Sequence, residues 1–161
     1  YRKKTSFACT ASFSSLLFYQ RRSLRRGGFF MRAPLDAEAD RTDLAWAVLA
    51  DIACSTHEQL QHLVELTGNE GGPILGCGGG FQSEALCQML SDLSGRELRL
   101  RAGFRQATVQ GLVTLCNDYL GEVPAKRDSP LKTYHPRTGQ LIHQYAPAWR
   151  EARDRANDIK A

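Results

Sequence analysis

The sequence predicts one α/β domain with polar tails, and three observations support this prediction. Hydrophobic residues recur at three- and four-residue intervals in three stretches of the 161-residue chain, which is the spacing of amphipathic helices. Short apolar runs between these stretches are typical of strands. Five glycines lie within residues 72–80, between one such run and the next helical stretch. The order helix, strand, glycine turn, helix, strand, helix is typical of α/β domains.

The first helix is predicted from about residue 43 to residue 67, because Leu44, Val48 and Ile52 follow the helical period. Thr42 or Asp43 is the expected N-cap, and Gly68 the expected stop. Further along, Ile74-Leu75 is a short apolar run that predicts a buried strand.

A second helix should start at Ser83-Glu84 and end at Gly95, because Ser favours N-caps and Gly favours the residue after a helix. Residues 97–101 alternate strictly between polar and apolar and predict a half-exposed strand. A third helix is predicted from Thr108, as its cap, to Leu120, followed by Gly121.

Residues 122–139 are rich in Pro, Lys, Arg and Ser and predict a surface loop. The tail, residues 141–159, predicts a charged helix with Tyr145 and Trp149 spaced i, i+4 and with Pro147 near its start, where proline is tolerated.

Charge is divided unevenly along the chain, whose formal net charge is +4. Residues 1–35 hold eight Lys and Arg and no carboxylate, so the remaining 13 basic residues face 17 Asp and Glu. Because the basic character belongs to this segment, we expect an irregular N-terminal arm, left by truncation or used for targeting, and no nucleic-acid partner. The chain also begins at Tyr1, which suggests a start inside a longer reading frame.

The cysteines, five in number, are scattered without any C-x-x-C pair, which argues against a disulfide framework and a zinc site. They predict reduced thiols in a cytoplasmic protein, with Cys77 buried and inert. Residues 13–18 form an apolar run too short to cross a bilayer, and we expect no membrane partner and no metal site.

The glycine turn, GPILGCGGGFQSEAL at residues 72–86, is the main functional signal. A strand that runs through glycines into a helix N-terminus offers backbone N–H groups to an anionic or flat ligand. A role in tight packing of helix on sheet is the alternative. The P-loop and dinucleotide patterns both fail, because Phe81 and Gln82 stand where they need Lys, a hydroxyl or Gly.

Two family resemblances compete for this turn. Leu75 to Gly80 is similar to the GCGxG turn of Rossmann-like methyltransferases, but the carboxylates that this family uses are missing before the turn and after Leu100-Arg101. More of the chain resembles the C-terminal domain of the FGGY family of carbohydrate kinases. The resemblance is carried by residues 44–53, the turn at 74–83, residues 88–98 and Gln106 to Gly111.

The FGGY resemblance implies an actin-like ATPase fold (ribonuclease H-like), with one mixed sheet flanked by helices and truncated here. It implies a basic arm or remnant at residues 1–35, the kinase domain at 36–121, and a loop with a C-terminal helix at 122–161. It further implies nucleotide binding by Gly78, Gly79, Gly80 and Ser83, beside a pocket floor formed by residues 106–111.

The implied activity is transfer of the γ-phosphate of ATP, with Mg²⁺, to a sugar or polyol hydroxyl. In this family the catalytic carboxylate and the sugar pocket lie in an N-terminal domain, which nothing in residues 1–41 resembles. We therefore expect no catalytic residue in this chain and no activity of the chain alone. A non-catalytic actin-like binding module is the alternative, and a homodimer remains open.

Overall fold

A computed structural model describes residues 6–13, 27–31, 39–122 and 130–158, and these form two small sheets packed against helices. In chain order the elements are β1 (Cys9–Ser12), β2 (Gly28–Met31), α1 (Arg41–Thr67), β3 (Ile74–Gly76), α2 (Glu84–Ser94), β4 (Leu98–Arg101), α3 (Ala107–Leu120), β5 (Pro130–Tyr134) and α4 (Leu141–Asp158). Two short 3₁₀ turns, Gly79–Gln82 and Phe104–Gln106, precede α2 and α3.

The predicted mixed sheet is present, with the strand order β3-β4-β5. Strands β3 and β4 run parallel, with Ile74 beside Leu98 and Gly76 beside Leu100. Strand β5 runs antiparallel to β4. One face of this sheet packs on the helices through the buried Leu98 and Leu100.

Strand β5 corrects the prediction that residues 122–139 are a surface loop. Tyr134 pairs with Leu98 and is buried, while the ammonium of Lys132 lies 5.1 Å from the Tyr134 ring and pairs with Glu84. Lysine and proline are common on edge strands, where they discourage pairing with other chains. The composition that suggested a loop is therefore that of a sheet edge.

Strands β1 and β2 correct the expectation of an irregular basic arm at residues 1–35. They pair antiparallel as a second sheet that the prediction of one sheet omitted. All four residues of β1 are buried, and the N–H of Ala11 donates to Tyr145 Oη at 2.9 Å. A strand buried on both faces lacks the alternation by which strands are recognised in a sequence.

A side chain caps the start of helix α1 and a glycine ends it, and the N-cap residue differs from the predicted one. Helix α1 is capped by Asp40, not by Thr42 or Asp43: Asp40 Oδ1 accepts from the Asp43 N–H at 2.8 Å, and Asp43 Oδ2 accepts from the Asp40 N–H at 3.1 Å. This reciprocal pair satisfies two N–H groups of the first turn. The predicted stop at Gly68 is confirmed, with φ 64°.

The other helices depart from prediction at two points. Helix α3 begins at Ala107, and Gln106 occupies the cap position, so the prediction of Thr108 as cap is wrong. In α4, Pro147 lies inside the helix and not near its start. Pro147 is exposed, whereas Tyr145 and Trp149 are fully buried.

The centre of the core lies where α4 crosses α1. The small side chains Ala47, Ala50 and Ala53 are fully buried on one face of α1, because spacings of three residues fall on the same side of a helix. They leave room for the aromatic residues of α4. The Tyr145 ring meets the Phe7 and Trp46 rings edge to face, with centroids 5.1 and 5.0 Å apart.

Candidate functional site

The glycine turn joins the end of β3 to the start of α2, and its first glycine has a packing role. A methyl group at Gly76 would lie 2.7 Å from Leu100 Cδ2 and 2.7 Å from Phe81 Cδ1. Non-bonded carbon atoms do not come this close, so a side chain at Gly76 would displace Leu100 or Phe81. The glycine therefore allows the close packing of the turn on β4.

Gly78, Gly79 and Gly80 differ from Gly76 because no tight packing fills their side-chain positions. A methyl group at Gly78 or Gly80 would meet nothing within 4 Å, and one at Gly79 would lie 3.7 Å from Gln82 Nε2. Gly78 has φ 99° and ψ 169°, a conformation that is essentially restricted to glycine. The packing role therefore does not explain these three glycines, and the space above them is open to a ligand.

Some backbone N–H groups of the turn form hydrogen bonds within the chain, and others do not. The Gly78 N–H donates to the Phe104 carbonyl at 2.7 Å, which ties this turn to the second 3₁₀ turn. Within the described part of the chain, nothing accepts a hydrogen bond from the N–H groups of Gly79 and Gly80. Two adjacent free N–H groups in an open turn suit an anionic or carbonyl oxygen.

Ser83 closes the turn as the N-cap of α2, which confirms the predicted start of that helix. Its Oγ accepts from the Leu86 N–H at 3.3 Å, and its own O–H remains able to donate. The four residues predicted to bind nucleotide, Gly78, Gly79, Gly80 and Ser83, thus lie together in one turn at the positive end of the α2 dipole.

The charges around the turn are mixed. Glu84 lies in the first turn of α2, where its hydrogen bond and ion pair with Lys132 lower the pKa of the carboxyl. On the neighbouring segment, residues 98–117 hold Arg99, Arg101 and Arg105 and no carboxylate. Lys132 offsets the charge of Glu84, so this carboxylate does not exclude an anion from the turn.

One expectation near the turn is not met. Cys77 is exposed, so the prediction of a buried thiol is wrong. Thr108 and Gly111 are exposed too, and their place at the floor of a nucleotide pocket stays a prediction. The sequence does not predict that the Phe104 carbonyl accepts a hydrogen bond from the turn, because every residue type has a backbone carbonyl.

Two cavities lie beside β3, and none of residues 76–84 lines either of them. One has a volume of about 300 Å³ and lies between α1 and the α2–β4 connection; the other, of about 280 Å³, is lined by residues 69–73 and by Leu75, Arg99 and Arg101. Within the described ranges, no three His, Cys, Asp or Glu residues cluster as a metal site would require. None of the described helices combines the length and apolarity of a membrane span.

Comparison with known proteins gives a consistent result. Residues 5–117 match the family model described as the FGGY family of carbohydrate kinases, C-terminal domain. The chain is 32% identical over 148 residues to the Bacillus subtilis (strain 168) protein named "Putative sugar kinase YoaC". That alignment covers 92% of this chain but only 30% of the relative.

Solved structures of sugar kinases share the fold. A xylulose kinase from Rhodospirillum rubrum superimposes with a TM-score of 0.63 at 13% identity, over 93% of this chain and 31% of that kinase. A gluconate kinase from Lactobacillus acidophilus gives a TM-score of 0.62 at 16% identity, over 84% and 28%. At such identities the likeness establishes the fold, which is α/β and actin-like. The chain thus spans about a third of the length of these proteins.

Proposed function

Because the chain belongs to the FGGY family of carbohydrate kinases, we propose that it forms the nucleotide-binding part of a kinase that transfers the γ-phosphoryl group of ATP to a sugar or polyol hydroxyl. The observation that carries the proposal is the open turn at Gly78, Gly79 and Gly80, with two free N–H groups and no packing neighbours. Ser83, at the start of α2, completes the same surface.

The residues of the turn fit one part of ATP. The N–H groups of Gly79 and Gly80 would donate to phosphate or ribose oxygens, and the open space above them admits a flat base. Phosphoryl transfer further requires Mg²⁺ to neutralise the phosphates and a carboxylate to orient the acceptor hydroxyl. The described residues offer no metal cluster, so the phosphates and the remaining part of the kinase would supply the ligands of Mg²⁺.

Helix α3 supports the idea that a further domain completes the site. Its large apolar residues lie within one arc of about 160° at 100° per residue, and all are at least half exposed: Val109, Leu112, Val113, Leu115, Tyr119 and Leu120. On the other side of the helix the Gln110 amide lies against Gly103, whereas Thr114 and Asp118 are exposed. A contiguous exposed apolar face of this kind is typical of a surface that a partner covers.

We therefore propose that the N-terminal domain of the intact kinase packs on the apolar face of α3 and brings the catalytic carboxylate and the sugar pocket. The relatives are about three times as long as this chain, which leaves room for such a domain. A cytoplasmic location belongs to the same proposal, because none of the five cysteines forms a disulfide.

The same exposed helix favours one alternative, in which the chain acts without catalysis as a binding module. The two functions differ in what the chain does alone. A nucleotide-binding half-site retains affinity for Mg-ATP, whereas a pure interaction module gives no heat with Mg-ATP. Calorimetry combined with size-exclusion chromatography of the purified chain separates them.

The nucleotide site is tested by Gly80→Ala, with Gly71→Ala as the matched control. Both glycines have room for a methyl group and ordinary φ, so neither substitution should change the melting temperature. If the turn approaches the nucleotide, Gly80→Ala should weaken Mg-ATP binding about tenfold or more, a loss of roughly 1.4 kcal/mol. Equal affinities of the two variants would contradict the site.

The kinase activity is tested with the chain joined to the N-terminal part of the Bacillus subtilis relative. ADP release should appear with at least one member of a panel of ketoses and polyols. Absence of ADP with every sugar, while Mg-ATP still binds, would contradict the kinase proposal and leave the nucleotide site standing.

A further inference from the structure

The 300 Å³ cavity beside α1 lies apart from the nucleotide-binding residues proposed above. It lies between the second half of α1 and the α2–β4 connection, at the amino end of β3, whereas the glycine turn follows the carboxyl end of the same strand. Its volume is at the lower end of the range for small-molecule sites. One small molecule would fill it.

His57 supplies a neutral donor to this cavity. Its Nδ1 is sealed from solvent and has no hydrogen-bond partner, and burial lowers the pKa of the imidazole, which favours its neutral form. An orphaned buried N–H is rarer than an orphaned acceptor, so we assign the proton to Nε2. Nε2–H is then the donor of the ring, and His57 is one of the residues that line the cavity.

Arg96 supplies a fixed cationic donor. Its Nε and Nη2 donate to the carbonyls of Gly72 and Gly71, each at 2.9 Å. These bonds use two of the five N–H donors of a guanidinium and hold the group in place. The other donors are available to a ligand at no further cost in side-chain ordering.

Glu65 and Glu70 supply acceptors on the same cavity. Glu65 lies 3.5 Å from His62 Nδ1 at the surface, and Glu70 forms no ion pair within the described ranges. Two carboxylates oppose a phosphate or another anion, and the Arg96 charge opposes a simple cation. The lining therefore opposes an anion and offers both acceptors and a fixed donor, which suits a neutral ligand that can donate to the carboxylates and accept from Arg96.

The remaining wall is apolar. Leu60 and Val64 are spaced i, i+4 and line the cavity side by side on α1. A neutral ligand for this site needs groups that both donate and accept hydrogen bonds, together with a C–H surface. Hydroxyl groups on a short carbon chain or ring meet both needs.

We propose that this cavity binds a small neutral polyhydroxylated molecule, a polyol or a monosaccharide, at a site separate from the glycine turn. Its hydroxyls donate to Glu65 and Glu70 and accept from Arg96 and His57. Its C–H face packs on the apolar wall of α1. No bond is made or broken at this site.

The test is a titration of the ¹⁵N-labelled chain with xylitol and with glucose, followed by amide chemical shifts. Saturable shifts should appear at residues 57–70 and 94–96 and not at residues 76–84. Glu70→Gln, at an exposed position, should weaken binding about tenfold, the effect of one hydrogen bond to a charged group. Gln144→Ala, exposed on α4, is the control and should bind as the wild type does.

Three results would overturn the proposal. Neither ligand produces a saturable shift; the polyol shifts map to residues 76–84 instead; or inorganic phosphate produces the same shifts at residues 57–70. Val64→Trp, which fills the cavity, gives a second check, because it should abolish the shifts while Mg-ATP binding is retained. Equal polyol affinity of a folded Val64→Trp variant would also overturn the proposal.

Discussion

Glycines of the same turn serve two different physical purposes. Gly76 is required because Leu100 and Phe81 occupy the space that a side chain would need. Gly80 has no such neighbour, so its lack of a side chain is not explained by packing. The sequence shows glycine at both positions. The packing and ligand interpretations can therefore be separated only when the residues that surround each glycine are known.

At the residue scale, Cys54 should make the free energy of unfolding depend on pH in the alkaline range. Burial, and then the negative charge of Asp51, raise the pKa of the thiol from 9.0 to about 12. Between these values the unfolded chain releases the proton while the folded chain keeps it. The free energy of unfolding should therefore fall as pH rises from 9 to 12, by up to about 1.4 kcal/mol per pH unit for one group.

Urea unfolding at pH 7 and pH 10.5 measures this effect in the wild type and in Cys54→Ala. The variant should lose less stability between the two pH values, and Cys116→Ala, at an exposed thiol, should behave as the wild type does. Some pH dependence will remain, because burial raises the pKa of Tyr145 as well. An unchanged slope in Cys54→Ala would show that the thiol titrates normally.

At the element scale, Asp51 joins three elements through one buried carboxylate. Its Oδ1 accepts from Trp149 Nε1 of α4 at 2.6 Å, and its Oδ2 accepts from the N–H of Phe13, directly after β1, at 2.9 Å. Asp51→Asn replaces one acceptor oxygen by a donor that faces an N–H. We expect a loss of about 2–4 kcal/mol in the free energy of unfolding.

Chemical denaturation of Asp51→Asn, Trp149→Phe and the double variant tests this network. The double variant should be less destabilised than the sum of the single ones, because the two groups share one hydrogen bond. Asp118→Asn, at an exposed position of α3, is the control and should have the same free energy of unfolding as the wild type. Strictly additive losses would mean that the Asp51–Trp149 bond does not contribute to stability.

The success of prediction from sequence differed between elements for physical reasons. Helix α2 could be predicted from Ser83 to Gly95 because the spacing of its hydrophobic residues and both of its capping residues can be recognised in the sequence. Strands β1 and β5 were missed, since one is buried on both faces and the other has the polar composition of a sheet edge. Their pairing depends on contacts with residues far away in the chain, which local patterns do not contain.

The same division applies to the candidate sites. The four residues of the glycine turn could be named because glycines before a helix cap form a local pattern. The cavity beside α1 could not, because His57 and Arg96 meet there only after α1 and α2 have packed. The Nδ1 of His57 is buried, although nothing in the local sequence indicates it.

At the scale of the whole molecule, the exposed apolar face of α3 should determine whether the isolated chain self-associates. Leu112 and Leu115 are 62% and 67% exposed, and contiguous apolar surface of this kind drives association. We expect the chain to self-associate at high concentration. Leu112→Lys combined with Leu115→Lys should give a monomer with an unchanged melting temperature, because neither side chain contributes to the core.

Sedimentation velocity and thermal unfolding decide this prediction, with Leu66→Lys as the control. Leu66 is 70% exposed at the end of α1, so its substitution should leave self-association as it is. In the chain joined to an N-terminal kinase domain, the α3 variant should release less ADP, because the surface that receives this domain then carries two buried charges. A melting temperature lowered in the isolated α3 variant would instead mean that α3 already packs within this chain, and the proposed partner surface would be wrong.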